Sequence, residues 1–194
     1  MDFRDVKEKM RKKNKILFSR ESPCLQELLA LLRQQNHRTI VLWAFECVND
    51  PVKLLKERYP DEERPQKAVD LCKEWAKGNI KMPIAKKAIL GVHGLAKEFN
   101  NPIDIALCHA IGQGCSSIHV KTHTIGLVFY ELTAIVLEYG FDDCEKIIEE
   151  KINNYIYCLE QCEKRVNDES LIWASFLMKE KENKEKLLYE KRLS

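Results

Sequence analysis

The chain has 194 residues, a net charge of +2 and 45% hydrophobic residues, which is enough for one globular domain with a hydrophobic core. Its balanced charge argues against nucleic-acid binding by the chain as a whole. Met1 leads into charged residues rather than an apolar signal segment, and no apolar stretch is long enough to span a bilayer, so we expect a cytoplasmic protein.

Of the eight cysteines, Cys47, Cys72, Cys108 and Cys158 lie among apolar residues at helical spacing, and there is no Cys-X-X-Cys pair. This pattern is typical of reduced thiols that pack as small hydrophobic side chains. Cys158 and Cys162 share one face of a predicted helix. Two cysteines at this spacing more often pack against neighbouring helices, and a pair of metal ligands is the weaker alternative.

Residues 1–20 predict a basic, helical N-terminal arm. Its cations are Arg4, Lys7, Lys9, Arg11, Lys12, Lys13 and Lys15. A solvated helix is the simpler interpretation of this arm, and contact with phosphates or an anionic surface is the alternative.

From residue 22 to residue 194 the sequence predicts a single all-helical domain. Five prolines stand where helix-periodic runs begin, and proline is favoured at the first helical position. Ser22, Asp50 and Asn101 each precede one of these prolines, as N-cap residues do. The predicted helices cover residues 22–35, 37–48, 50–58, 65–77, 83–99, 102–111, about 117–139, 142–166 and 168–192.

Two of these helices, 37–48 and about 117–139, are apolar on nearly every side, which predicts that they are central and buried. No segment shows the alternation of a strand. The predicted fold class is therefore all-α, a compact multi-helix bundle or array around those two helices. A solenoid-like stack of helix pairs is the alternative arrangement.

A predicted polar cluster comprises four of the five histidines: His93, His109, His119 and His123. They lie on segments that otherwise look buried, and a buried imidazole needs a hydrogen-bond partner, a metal or a catalytic role. His119 and His123 are four residues apart on a predicted helix, so they could chelate one zinc ion from a shared face. Structural histidines with hydrogen-bond partners are the simpler interpretation, since Val120 stands where the zincin motif has glutamate.

The segment from Tyr59 to Arg64 predicts an acidic turn between two helices. An aromatic residue and an arginine beside carboxylates are typical of protein interfaces. The predicted partner-binding residues are Tyr59, Asp61, Glu62, Glu63 and Arg64. A solvated connection between helices is the alternative.

Several further motifs follow one another in a fixed order along the chain: His37-Arg38-Thr39, Trp43-Ala44, Cys47, Tyr59 to Ala68, Trp75-Ala76-Lys77-Gly78, His93, Ala96, Ala106, Ala110, Gly112 and His119-Val120-Lys121-Thr122-His123. In this order they resemble the immunity-five-like family of immunity proteins from bacterial polymorphic toxin systems. The resemblance covers roughly residues 37–139, while the C-terminal helices predicted over 142–194 lie beyond it.

The resemblance implies a cytoplasmic, non-enzymatic protein that binds and neutralises a cognate toxin, with no catalytic residues and no cofactor. The residues themselves leave open a metal-binding protein, with zinc as the metal, or a histidine-centred enzyme using His119 and His123. An oligomeric helical scaffold is the third alternative. We expect a protein partner rather than a membrane or nucleic acid, and a homo-oligomer is compatible with the sequence.

Overall fold

The computed structural model describes residues 1–179, and within residues 141–143 it describes the backbone alone. The helices are α1 (Arg4–Arg11), α2 (Gln26–Gln34), α3 (His37–Cys47), α4 (Asn49–Arg58), α5 (Arg64–Lys77), α6 (Met82–Leu95), α7 (Pro102–Ser116), α8 (His123–Tyr139), α9 (Phe141–Arg165) and α10 (Ser175–Met178), with a 3-10 turn at Pro23–Leu25. No strand forms in this part of the chain, which confirms the all-α prediction.

Helix α3 is central, as its apolar sequence predicted. The Asn36 side chain caps its first turn by accepting a hydrogen bond from the Thr39 amide at 3.0 Å, which satisfies one of the free donors at a helix start. Trp43 is fully buried, and its indole nitrogen donates to the Tyr155 carbonyl at 2.9 Å. Helix α3 is therefore fixed against α9.

The second buried helix begins at His123, so the prediction that it starts near residue 117 is wrong. Helix α7 instead continues to Ser116, and residues 117–122 form a turn that reverses the chain. The Ser116 hydroxyl donates to the Gly112 carbonyl at 2.7 Å, and the Ser117 carbonyl accepts a 2.7 Å hydrogen bond from the His37 ring of α3. Hydrogen bonds from side chains compete with the backbone hydrogen bonds of a helix, and they favour the end of α7 at this point.

Glycine permits the close approach of α7 and α8. A Cβ at Gly114 would lie 2.6 Å from Leu127 Cδ1, which is too close for two carbon atoms. Gly91 and Gly94 have no such role, because a Cβ at either position would meet nothing within 4 Å.

The helix predicted over residues 168–192 is wrong in its first part, because residues 168–174 are not helical and α10 covers only Ser175–Met178. The Ala174 amide donates to the Ala76 carbonyl at 2.7 Å, and Phe176 stacks on Trp75 with ring centroids 5.6 Å apart. Contacts with α5 therefore take the place of the backbone hydrogen bonds that a helix over residues 168–174 would form. The remainder of that prediction lies outside the described residues.

The N-terminal segment contributes to the core as well as to the surface. Phe3, Val6, Leu17 and Phe18 are buried, and the Leu17 amide donates to Thr133 Oγ1 of α8 at 3.1 Å. The phosphate-binding alternative for this segment stays a prediction. No helix within residues 1–179 combines the length and the apolar character that crossing a membrane requires.

Candidate functional site

Tyr59 anchors the predicted acidic turn, which connects α4 to α5. Its ring stacks on Phe99 with centroids 4.4 Å apart, and its hydroxyl donates to Asp104 Oδ2 of α7 at 2.6 Å. Because the phenol proton is held by that carboxylate, the pKa of Tyr59 is raised. Tyr59 therefore fixes the start of the turn and is only half exposed.

A buried ion pair holds the end of α4 next to this tyrosine. Arg58 Nη1 bonds Asp104 Oδ1 at 2.8 Å, and the Asp104 side chain is 1% exposed. Arg58 also pairs with Glu138 of α8. A buried carboxylate needs such charge and hydrogen-bond partners, so Asp104 holds α4 and the turn on α7, while Arg58 links α4 to α8.

Arg64 fixes the other end of the turn. Its guanidinium bonds Glu62 Oε2 at 2.6 Å and Glu98 Oε1 at 2.7 Å, and hydrogen bonds from Arg64 lower the pKa values of both carboxyl groups. Glu62 and Arg64 are thus paired within the chain.

Asp61 and Glu63 differ from the other three predicted partner-binding residues. Both are exposed, and neither side chain makes a hydrogen bond or an ion pair with any of the described residues. The structure brings all five residues together in one turn, yet it leaves two carboxylates of that turn available to another molecule.

Helix α4 forms a ridge between two grooves. We call four of its exposed residues the α4 ridge: Lys53, Leu54, Lys56 and Glu57. On one side lies the α4/α5 groove of about 460 Å³, lined by Val52, Lys56, Glu62, Glu63, Pro65, Gln66, Lys67 and Asp70. The carboxylate of Glu63 is therefore at the edge of a concave surface, which suits contact with a partner.

On the other side of the ridge lies the α4/α8 groove of about 350 Å³, whose lining includes Leu54, Ile103, Ile135, Tyr139 and Lys151. Leu54 is 41% exposed and Tyr139 is 54% exposed, so apolar surface stands at its mouth. Sequence reasoning missed this groove. The available signal was Leu54 itself, since it lies off the face of α4 that buries Val52 and Leu55.

The floor of the α4/α8 groove is an ionic network. Lys151 bonds Glu131 at 2.5 Å and Asp50 at 2.7 Å, while the Tyr155 hydroxyl donates to Glu131 at 2.5 Å. Burial raises the pKa of Glu131 despite these partners. Lys151 already pairs with two carboxylates, so its charge is not free to bind a molecule in the groove.

The predicted histidine cluster forms in part, on α6, α7 and α8. His93 Nδ1 lies 3.1 Å from His109 Nδ1, and the His109 ring packs on Tyr130 with centroids 4.9 Å apart. His123 Nδ1 lies 2.7 Å from Gln113 Oε1. Burial lowers the pKa values of His93, His109 and His123, so these imidazoles are neutral near pH 7.

His119 is placed differently from the other three. It lies in the turn before α8 with its ring 6.4 Å from that of Trp75, so the prediction that His119 and His123 share a helical face is wrong. Within residues 1–179, no group of three or more His, Cys, Asp or Glu side chains is arranged to hold a metal ion. Zinc binding by His119 and His123 stays a prediction.

Sequence reasoning missed Gln113 as a partner of the histidines. A signal for Gln113 was present, because it is a polar residue between Gly112 and Gly114 in an otherwise apolar helix.

A comparison with models of protein families identifies the family of this chain. A family model described as "Imm-5 like putative immunity protein" matches residues 30–158, a range that contains the acidic turn, the α4 ridge and the histidine cluster. No curated protein and no solved structure matches the chain.

Proposed function

This chain belongs to the Imm-5 like family of immunity proteins, and from that premise we propose that it binds and neutralises a cognate toxin without catalysing a reaction. Such a protein acts by covering a functional surface of the toxin. A few well-packed anchors supply most of the binding energy in protein complexes, and charged groups set the association rate and the choice of partner.

The observation that carries this proposal is that hydrogen bonds within the chain hold three residues of the acidic turn, while two carboxylates of the turn stay exposed. Tyr59 and Arg64 donate hydrogen bonds to Asp104 and Glu98 outside the turn, and Arg64 in turn holds Glu62, so the turn is ordered before any partner arrives. A preformed surface loses less conformational entropy on binding than a flexible one. We therefore assign contact with the toxin to Asp61 and Glu63, and we assign a positioning role to the other three residues.

The chemistry of this surface indicates the kind of toxin surface that fits it. Asp61 and Glu63 are exposed carboxylates, and they stand beside the α4/α5 groove, to which Asp70 also contributes. Opposite charges across an interface steer association and exclude wrong partners. The complementary toxin face therefore carries lysine or arginine side chains that meet these two carboxylates.

We also propose that the protein acts in the cytoplasm. All eight cysteines are free thiols, a state that a reducing compartment maintains. A toxin made in the same cell would meet its inhibitor there.

Charge reversal tests the proposed surface directly. Each toxin domain encoded by the host would be co-expressed with the wild-type chain, and the toxin that the chain neutralises would then be used in binding measurements. The double variant Asp61→Lys/Glu63→Lys should weaken that complex by at least about tenfold and reduce protection of the cell, because two attractive contacts become repulsive.

The matched control is Glu160→Lys/Glu163→Lys, which makes the same charge change at two exposed positions of α9. This control should leave the dissociation constant nearly unchanged. Equal losses in both double variants, or no loss in the Asp61/Glu63 variant, would reject the turn as the binding surface. Failure of the wild-type chain to protect against every host toxin would reject the proposed function itself.

A further inference from the structure

Two imidazoles from different helices face each other through the same ring nitrogen. His93 Nδ1 of α6 and His109 Nδ1 of α7 are 3.1 Å apart, and their ring centroids are 5.3 Å apart. In a neutral pair only one of these nitrogens carries a proton, which it donates to the lone pair of the other. When that proton moves to Nε2, both Nδ1 lone pairs become available at the space between the rings.

The separation of the two nitrogens is close to that of two ligands of one metal ion. Zinc–nitrogen bonds of 2.0–2.1 Å at a tetrahedral angle place two ligand nitrogens about 3.3 Å apart. The observed 3.1 Å is shorter than that value by a few tenths of an ångström, and a turn of both rings directs their Nδ1 lone pairs at one ion.

Glycine in α7 makes room for this arrangement. A Cβ at Gly112 would lie 2.5 Å from His93 Nε2 and 3.0 Å from His93 Nδ1, so any other residue would displace the ring. Glycine inside a helix costs about 1 kcal/mol relative to alanine. The chain thus tolerates an unfavourable residue where the His93 ring packs on α7.

The surroundings keep both rings oriented and leave them accessible. Tyr130 packs against the His109 ring at 4.9 Å between centroids, and both histidines are partly exposed. Burial lowers the pKa values of His93 and His109, so protons compete weakly for their lone pairs near pH 7. An ion could enter from solvent and retain water in its remaining coordination positions.

We propose that His93 and His109 form a two-histidine binding site for a transition-metal ion of the zinc, nickel or copper class, bound through both Nδ1 atoms. Imidazole nitrogens are favoured ligands of these metals. The first coordination shell is completed by water, because no set of three donor side chains in the described residues is arranged around one ion. His123, held by Gln113, is outside that shell. This site is independent of the proposed toxin-binding surface.

Cobalt(II) tests the site with a spectroscopic readout. The purified full-length chain, without a histidine tag, would be titrated with Co²⁺ and then with Zn²⁺ as a competitor. We expect one equivalent of Co²⁺ to give visible d–d absorption without a sulfur-to-cobalt charge-transfer band. His93→Gln and His109→Gln should each weaken binding by at least about tenfold, because a single imidazole remains.

Three further variants separate this site from others in the chain. Gly112→Ala retains both histidines but displaces the His93 ring, so it should also weaken Co²⁺ binding. His119→Gln and Cys158→Ser should bind as the wild type does. Thermal unfolding of each variant would establish that it is folded.

Three outcomes would overturn the proposal. They are absence of binding to the wild type at millimolar Co²⁺ and Zn²⁺, equal binding by the His93→Gln and His109→Gln variants, and a sulfur charge-transfer band that the Cys158→Ser variant lacks. The last result would assign the ion to cysteine thiols instead.

Discussion

The Tyr59 hydroxyl and the Asp104 carboxylate meet at 2.6 Å, although they lie 45 residues apart in the chain. Asp104 is buried on α7 and receives a second bond from Arg58. The acidic turn therefore takes its position from a charge in the protein interior. Substitutions around Asp104 should consequently change the stability of the fold and the position of the turn together.

Loss of the Arg58 side chain should destabilise the protein more than loss of the Tyr59 hydroxyl. Arg58→Met leaves the buried Asp104 without its cation; breaking a fully buried pair costs about 3–5 kcal/mol, and the loss here should be near the lower end because the Arg58 side chain is 28% exposed. Tyr59→Phe removes one hydrogen bond to the same carboxylate and should cost about 1–3 kcal/mol. Urea unfolding measures both free energies.

Tyr139→Phe is the matched control for the Tyr59 variant, since Tyr139 is 54% exposed. Its hydroxyl should contribute little to the free energy of unfolding. If Arg58→Met and Tyr59→Phe were both as stable as the wild type, Asp104 would not be the group that fixes the turn.

Leu54 should act as an apolar contact for the toxin, because it stands on the α4 ridge at the mouth of the α4/α8 groove. Leu54→Ala should weaken the complex by more than about 1 kcal/mol if this leucine is an anchor. Its effect on the free energy of unfolding should be small, since the side chain is 41% exposed. Calorimetry with the neutralised toxin and urea unfolding measure the two effects.

Leu90→Ala provides the comparison, because Leu90 is 57% exposed on α6. It should bind the toxin as tightly as the wild type. Undiminished affinity in Leu54→Ala would confine the interface to the acidic turn and the α4/α5 groove.

Of the three N-caps predicted from the sequence, Asn101 is confirmed, whereas the Ser22 side chain makes no cap bond and Asp50 lies inside α4. Pro102 after Asn101 predicted the start of α7, and the Asn101 side chain accepts from the Ile103 amide at 2.9 Å. The boundary between α7 and α8 could not be predicted in the same way. Neither proline nor glycine occurs in residues 117–122, and the bond from the His37 ring to the Ser117 carbonyl spans 80 residues.

The candidate site, too, could be predicted from the sequence only in part. Sequence alone located the acidic turn, but the exposure of its residues depends on partners that are distant in the chain. Arg64 is held by Glu98, 34 residues away, so local composition did not separate Arg64 from Asp61. His93 and His109 belong to two helices, and their pairing follows from how α6 packs on α7.

The stability of the protein should decrease as the pH falls below about 7, because of the histidine cluster. Burial lowers the pKa values of His93, His109 and His123 from 6.5. As the pH falls through that value, the unfolded chain binds protons that the folded chain does not, so the free energy of unfolding decreases. Urea unfolding between about pH 7.5 and pH 5.5 measures this slope.

A double variant isolates the contribution of two of these histidines. His93→Gln/His109→Gln should show a smaller slope than the wild type over the same pH range. Glu131 acts in the opposite direction, because its raised pKa makes the folded chain bind a proton that the unfolded chain releases. Since Glu131 is present in both proteins, the difference between their slopes reports the histidines alone. Identical slopes would mean that neither imidazole resists protonation in the fold.

Cys158 should be the first thiol to react with iodoacetamide in the folded protein. Hydrogen bonds from the Cys162 and Cys47 thiols lower its pKa, and a thiolate is the reactive form of cysteine. Cys158 is partly exposed, whereas the other seven cysteines are buried. Burial also raises the pKa of Cys24 to about 12, which keeps that thiol protonated and slow to react.

Peptide mass mapping after brief alkylation at neutral pH would identify the modified residue. Cys158→Ser should remove the fast phase of the reaction, and Cys24→Ser should leave it unchanged. Cys162→Ala should slow alkylation of Cys158, because it removes a thiol that stabilises the Cys158 anion by donating a hydrogen bond. Early modification of a buried cysteine would instead show that the helices open locally faster than Cys158 reacts.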